Sequence, residues 1–278
     1  MSDNAVRPLL NRSSASIMGI INATPDSFSD GGQFNSTESA FKHGLALLEE
    51  GADILDIGGE STRPGAHKVG VQEELDRVIP IIERLVSSSD AVVSIDTQKP
   101  EVMRSAVQAG AQMVNDVNGL QAEGALQAAS ELGVPVCIMH MHGDPSTMQN
   151  QPKYDNVVAQ VMAFYQERIE ACKNVGIATS DIILDPGIGF GKLLEHNLQL
   201  LKSVPQMKSE TGCEILIGVS RKSLINDALG RDVNERLSAS IGLAVQSVLN
   251  GAKIVRVHDV RATHDAIRMI EAVRDQPA

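Results

Sequence analysis

The sequence predicts an α/β protein, a single-domain (β/α)8 or TIM barrel, from three observations. The first is a recurring phrase: Gly51-Ala52-Asp53, Gly110-Ala111-Gln112, Gly133-Val134-Pro135, Gly176-Ile177-Ala178 and Gly251-Ala252-Lys253. Each closes a helix-period stretch and opens a β-type run, and glycine just past a helix end supplies the left-handed cap. The second is the number of β-type runs, eight: 17–21, 54–57, 91–95, 112–114, 136–139, 182–184, 215–219 and 253–257. The third is what separates them: amphipathic stretches such as 40–50, 73–85, 157–172, 236–249 and 262–273. Short apolar strands alternating with helices give a parallel sheet covered by helices, and eight such units close a barrel. The competing open, doubly wound sheet lacks its fingerprint here, because no GxGxxG opens a helix after the first strand.

The chain of 278 residues is the length such a barrel needs, roughly 250 residues. The barrel is expected over 17–275, preceded by a flexible segment over 1–16. Aromatic residues are only 3%, so the core must be aliphatic. The net charge of −11 argues against nucleic-acid or anionic-membrane partners, so an anionic substrate would need cations gathered locally. Cys137, Cys172 and Cys213 are scattered without a CxxC, which excludes a disulfide framework or a zinc ribbon. With no signal-like start and no run of 18 apolar residues, the reading is a soluble, reduced, cytoplasmic protein.

In a barrel, the residues that end the strands share one face and build the active site with the loops that follow. Those positions carry Asn22, Asp56, Asp96, Asn115 with Asp116, His140, Asp185, Ser220-Arg221-Lys222, and Arg256 with His258. Single polar strand ends also serve as helix caps, but a polar group at every strand end converges on one concave mouth. The set divides in two. Asp96, Asn115 and Asp185 offer acceptors suited to a flat heterocycle with N–H donors. Arg221, Lys222, Arg256 and His258 follow strands 7 and 8, where barrels often bind phosphate, and Ser61-Thr62-Arg63 adds hydroxyls and a guanidinium.

Three motifs raise other chemistry. DPGIGFGK (185–192) is not a Walker A loop, since Leu193 follows Gly191-Lys192 and Pro186 stands where a glycine is required; its glycines would let backbone approach a flat ligand. His140 and His142 have the spacing of a metal pair but lack a third histidine nearby. Lys222 could form a Schiff base if desolvated. The longest irregular stretches, 22–36, 59–71 and 140–152, all follow strands, where long loops are usually functional.

Seven segments in chain order complete the reading: GIINATPDSFSDGG (19–32), DIGGESTRPGA (56–66), SIDTQKP (94–100), NDVNG (115–119), DPGIGFGK (185–192), GVSRKS (218–223) and RVHDV (256–260). Together, over about 17–272, they resemble the dihydropteroate synthase family, in its bacterial single-function form. The resemblance implies that para-aminobenzoate displaces pyrophosphate from a hydroxymethyl-dihydropterin pyrophosphate, by a dissociative path, to give dihydropteroate for folate biosynthesis. It implies Mg2+, a homodimer, and sulfonamides as competitors of para-aminobenzoate. Ala23, where the family usually has Val, and His142, where a longer polar residue is common, depart from the pattern at positions without an assigned chemical role.

The resemblance also assigns roles. Asp96, Asn115, Met139, Asp185, Lys222 and Arg256 would hold the pterin. Asn22, Thr62, Arg63, Arg256 and His258 would meet pyrophosphate, with Asn22 also a ligand of Mg2+. Phe28, Thr62, Pro64, Phe190, Lys222 and Ser223 would frame para-aminobenzoate. Catalysis would fall to Asp96, Lys222, Arg63, Arg256 and His258, and the loop 23–35 would close as a lid carrying Phe28. Three other readings stand beside this one: a pterin-binding paralogue without synthase activity, a methyltetrahydrofolate-binding methyltransferase domain, and a Schiff-base aldolase. The segment 238–249, small and apolar around most of its circumference, is the candidate dimer surface.

Overall fold

A computed structural model describes residues 4–23, 32–61, 68–143, 148 and 152–276, without the side chains of 32–36. Eight parallel strands close into a barrel in sequence order. They are β1 (Ser16–Asn22), β2 (Ile54–Gly58), β3 (Val93–Asp96), β4 (Met113–Asp116), β5 (Val136–Met139), β6 (Ile182–Asp185), β7 (Glu214–Ile217) and β8 (Ile254–Val257). The sheet closes through β1 and β8, with Met18 opposite Arg256. All five glycines of the recurring phrase have positive φ, from 63° at Gly133 to 114° at Gly110. That backbone ends each helix and turns the chain into the next strand.

The barrel is lined by alternation. Outward residues of the strands, such as Ile17, Leu55, Val93, Val114, Ile138, Leu184, Ile215 and Val255, join the surrounding helices in the larger core. Inward residues at the start of the strands form a second core of Met18, Ile54, Met113, Cys137, Ile183, Leu216 and Ile254. Val6 and Leu10 of helix α1 (Val6–Asn11) close this inner core from below. Because side chains repeat every two residues along a strand, the next inward position is two residues on: Ile20, Asp56, Asn115, Met139, Asp185, Gly218 and Arg256. The apolar plug and the polar mouth are therefore successive layers of one interior.

The α1 helix corrects the expectation of a flexible segment over 1–16. Val6 is fully buried, Asn4 Nδ2 donates to the Gln112 carbonyl at 2.8 Å, and Arg12 pairs with Asp53 at 2.7 Å. The apolar pair Val6 and Leu10, at i and i+4, shares one helix face, and that face buries against the barrel floor. Strand ends also differ from the expectation that each is polar. β5, β7 and β8 end at Met139, Ile217 and Val257, so His140, Ser220–Lys222 and His258 stand on the loops beyond them.

Candidate active site

The upper layer opens into a cleft at the carboxyl end of the strands, with an empty volume of about 450 Å³ including its mouth. Asp96, Asn115, Met139 and Asp185 line it from β3 to β6, with Ile20 from β1 and Val117 beyond β4. Phe190, Gly218, Ser220, Lys222, Arg256 and His258 complete the wall. Of the residues expected in the site, eight line this cleft together: Asp96, Asn115, Met139, Asp185, Phe190, Lys222, Arg256 and His258. Asn22 ends β1 at its rim, half-buried, and Ser223 is exposed at the start of helix α2 (Ser223–Leu229). Phe28, Thr62, Arg63 and Pro64 lie outside the described residues, as does most of the expected lid.

Electrostatics at the floor centre on one guanidinium between two carboxylates. Arg256 Nε donates to Asp56 Oδ2 at 2.6 Å, and its Nη2 donates to Asp96 Oδ2 at 2.8 Å. Asn115 Nδ2 also donates to Asp56 Oδ2, at 3.1 Å. A single cation cannot neutralise both anions. Burial therefore raises Asp96 to about 7 against the pull of Arg256, with the Asp56 carboxylate adding to the rise, while the two carboxylates push Arg256 further up. Asp96 thus changes charge near neutrality.

Across the cleft, Asp185 Oδ1 accepts from the Gly187 amide at 2.7 Å. Burial raises its pKa, opposed by the Lys222 charge. Lys222 donates to the Ile188 carbonyl and stands 4.2 Å above the centre of the Phe190 ring. Burial lowers it to about 8. His258 Nδ1 is 3.1 Å from Ser220 Oγ, which also accepts the His258 amide at 3.2 Å. The floor is thus acceptor-rich, and the β7–β8 side carries Lys222, Arg256 and His258.

Several readings of single residues change. Asp56 lies inside β2, fully buried, and its value to the site is its hold on Arg256 and Asn115. It was legible as a polar residue in an apolar strand, but not as the partner of Arg256. Asp116 points outward and accepts the amides of Asn118 and Leu120 at 2.7 and 2.8 Å, so it holds the turn after β4. Arg221 forms a two-bond pair with Asp259, at 3.0 and 2.6 Å, on the surface and does not line the cleft. Its φ of 58° turns the side chain away as Lys222 turns in. The glycines of DPGIGFGK mostly face protein and not a ligand. A Cβ on Gly187 would lie 1.9 Å from the His140 carbonyl oxygen, and one on Gly191 2.6 Å from that of His142. Only Gly189 faces a site group, Lys222.

His140 and His142 show no metal cluster: among the described residues no three His, Cys, Asp or Glu side chains group to hold a cation. His140 Nδ1 instead meets Lys192 Nζ at 3.1 Å, and burial lowers the imidazole to about 3, so it is neutral.

Residues 18–258 match the family described as pterin binding enzyme. The dihydropteroate synthase of Escherichia coli strain K12 is 49% identical over 263 residues, covering 95% of this chain and 93% of that protein. The dihydropteroate synthase of Yersinia pestis in complex with a sulfonamide drug superposes with a TM-score of 0.90 at 45% identity, over 95% of this chain and 96% of that one. That of Xanthomonas albilineans with 4-aminobenzoic acid gives a TM-score of 0.90 at 50% identity, over 95% of both chains. In complex with 7,8-dihydropteroate it gives 0.87 at 47% identity, again over 95% of both. With a closed (β/α)8 barrel, an acceptor floor and a cationic rim already in place, this similarity along nearly the whole length means that the chain belongs to the dihydropteroate synthases, within the pterin binding enzymes.

Proposed function

We propose that the cleft binds 6-hydroxymethyl-dihydropterin pyrophosphate and para-aminobenzoate and joins them as dihydropteroate, releasing pyrophosphate. The observation that carries this reading is the convergence of Asp96, Asn115, Asp185, Lys222, Arg256 and His258 on one cleft. A pterin presents an amide-and-amine edge of N–H donors. Asp185 keeps acceptor capacity beyond its bond to Gly187, and the Asn115 carbonyl oxygen adds another acceptor. Lys222 supplies a donor for the ring's acceptors. Asp56 and Asp96 hold two edges of the Arg256 guanidinium, and its face is left to stack on the ring.

The reaction exchanges one bond for another. The C–O bond from the pterin methylene to pyrophosphate breaks, the amine nitrogen of para-aminobenzoate forms a C–N bond to that carbon, and the amine's proton passes to the released pyrophosphate or to water. In the dissociative order, positive charge spreads over the pterin as pyrophosphate leaves. Asp96, ionised above about pH 7, opposes that charge from the floor. His258 and Arg256, with Arg63 and Thr62 of the loop after β2, receive the leaving anion. Phe190 and Lys222 form the wall against which para-aminobenzoate packs, with Ser223, Pro64 and Phe28 completing it. Met139 gives the pterin an apolar contact.

Mg2+ fits this donor set as a companion of pyrophosphate. Asn22 offers one neutral amide oxygen, and Mg2+ usually takes few protein ligands beside phosphate oxygens and water. Bound there, it would add charge stabilisation for the leaving group. The protein works as a homodimer in this reading, and the segment 238–249 of helix α3 (Leu237–Leu249), with Leu249 62% exposed, is the surface offered for pairing. We place it in the cytoplasm, where its competitors would include sulfonamides; among the described residues no helix is long and apolar enough to cross a membrane.

The test is direct: incubate the purified protein with both substrates and Mg2+, and look for dihydropteroate by mass spectrometry. Product establishes the reaction. Tight pterin binding without product would move the protein to a binding-only paralogue or a methyltransferase-type domain. A borohydride-trapped adduct on Lys222 would move it to an aldolase.

A further inference from the structure

Lys192 is 3% exposed and lies behind the cleft, not in its lining. Its ammonium has three neighbours. It donates to the Phe190 carbonyl at 2.9 Å and to the His140 carbonyl at 3.2 Å, and it meets His140 Nδ1 at 3.1 Å. Three donors therefore find three acceptors, two from the loop after β5 and one from the loop after β6. The imidazole accepts at Nδ1 and so carries its proton on Nε2. Its ring stands edge-on to Phe164, with centroids 5.1 Å apart. Gly187 presses against the same His140 carbonyl, and Asn197 Oδ1 accepts the Gly189 amide at 2.8 Å. From the cleft side, Lys222 donates to Ile188 and covers the Phe190 ring. The segment 187–191 is held from both faces, by one lysine each.

We infer that Lys192 is a positioning residue for the second substrate: by clasping the Phe190 carbonyl to His140, it fixes the Phe190 wall on which the aromatic amine packs. This rests on the proposed function. Burial lowers Lys192 to about 7. A neutral amine has two hydrogens and keeps the two carbonyl bonds, which are the ones that hold the segment, at the expense of the contact with His140 Nδ1. Of the pterin groups, Asp96, Asn115 and Asp185 stand on strands, and only the Gly187 amide and the Lys222 bond to Ile188 tie that set to this segment, so loss of the clasp should fall more heavily on the aromatic amine than on the pterin.

The experiment is a double-mutant cycle of Lys192→Met and Phe190→Leu. Its readouts are KM for para-aminobenzoate, kcat, and pterin Kd by calorimetry. The inference expects Lys192→Met to raise KM for para-aminobenzoate about tenfold or more, with pterin Kd within about threefold of the parent, a difference worth about 1.4 kcal/mol per factor of ten. It expects the double variant to be no worse than Phe190→Leu alone, because Lys192 acts through that wall. Multiplying effects, or an equal loss for both substrates, would overturn it. If Lys192→Met does not bind pterin, Lys192→Gln becomes the test: its amide can still donate to both carbonyls, so pterin Kd and KM for para-aminobenzoate should both return to within about threefold of the parent, and a KM still raised there would overturn the inference. Loss of pterin binding there too would make Lys192 a folding residue and end the inference. Parent protein that makes no dihydropteroate would refute the proposed function instead, independently of the cycle.

Discussion

Asp96→Asn should make the protein more stable and less active, and the gain should depend on pH. Its carboxyl stands at about 7 in the folded chain, against an ordinary value of 3.8. Between those values the folded state holds a proton that the unfolded chain has released. Stability therefore falls as pH rises through that window and levels above about 7. From pH 5 to 8 the interval that counts runs from 5 to about 7, so the parent should lose about 3 kcal/mol that the variant keeps. Asparagine conserves shape and leaves Arg256 with Asp56 as its one ionised partner. Other raised carboxyls, such as Asp116 and Asp185, are common to both proteins and cancel in the difference. The assay is urea unfolding of both proteins at pH 5 and pH 8, with dihydropteroate formation measured alongside. Turnover should drop in the variant, and in the parent it should weaken as pH falls below about 7. Parallel stability profiles would refute the account of Asp96, whatever the activity.

Other outcomes follow from single contacts. Lys222→Ala should weaken pterin binding by about tenfold to a hundredfold, the scale of a lost charged hydrogen bond, and unchanged calorimetry would remove Lys222 from the site. Because burial lowers Lys222 to about 8, its ammonium is lost as pH rises through that value; the alkaline limb of turnover should sit near there and vanish in the variant. Gly187→Ala should destabilise by more than about 3 kcal/mol, through positive φ and collision with the His140 carbonyl; a normal melting temperature would contradict that packing. Withholding Mg2+ with a chelator should abolish product and spare pterin binding, and undiminished turnover would dismiss the metal role of Asn22.

What the sequence reveals depends on whether the signal is local. The glycine phrase is local: each glycine must reach positive φ to end its helix, so five junctions are visible without tertiary knowledge. The inward face of each strand is visible only in part: a period of two allows one of Asn115 and Asp116 to face the mouth, and the structure puts Asn115 there and Asp116 on the helix side. Partnership is not local. Arg256 meets Asp56 across 200 residues, and no periodicity predicts which carboxylate it will choose. Arg221 follows the same rule in reverse. It reads as a phosphate cation beside Lys222, yet adjacent residues on a turn face opposite ways, and Asp259 takes it. The glycines of 187–191 report a close approach, but only the structure says that the approaching surface is the neighbouring loop.

The N-terminal segment then bears on the chemistry. Val6 and Leu10 complete the apolar layer of Met18, Ile54, Met113 and Cys137 directly beneath the polar one. Burial is the largest cause of the raised Asp96, and that layer is what keeps water from the floor below it. A carboxylate one layer above a wet barrel would titrate near its ordinary value and would be ionised at every pH where the protein folds. Set above a dry plug and bound to an arginine already engaged by Asp56, Asp96 stays close to the point where its charge can be made or lost. The strain of one guanidinium serving two anions is therefore a property of the whole interior, from α1 upward. It places a negative group in a low-dielectric floor beneath a developing cation, beside an arginine whose charge is already shared with Asp56.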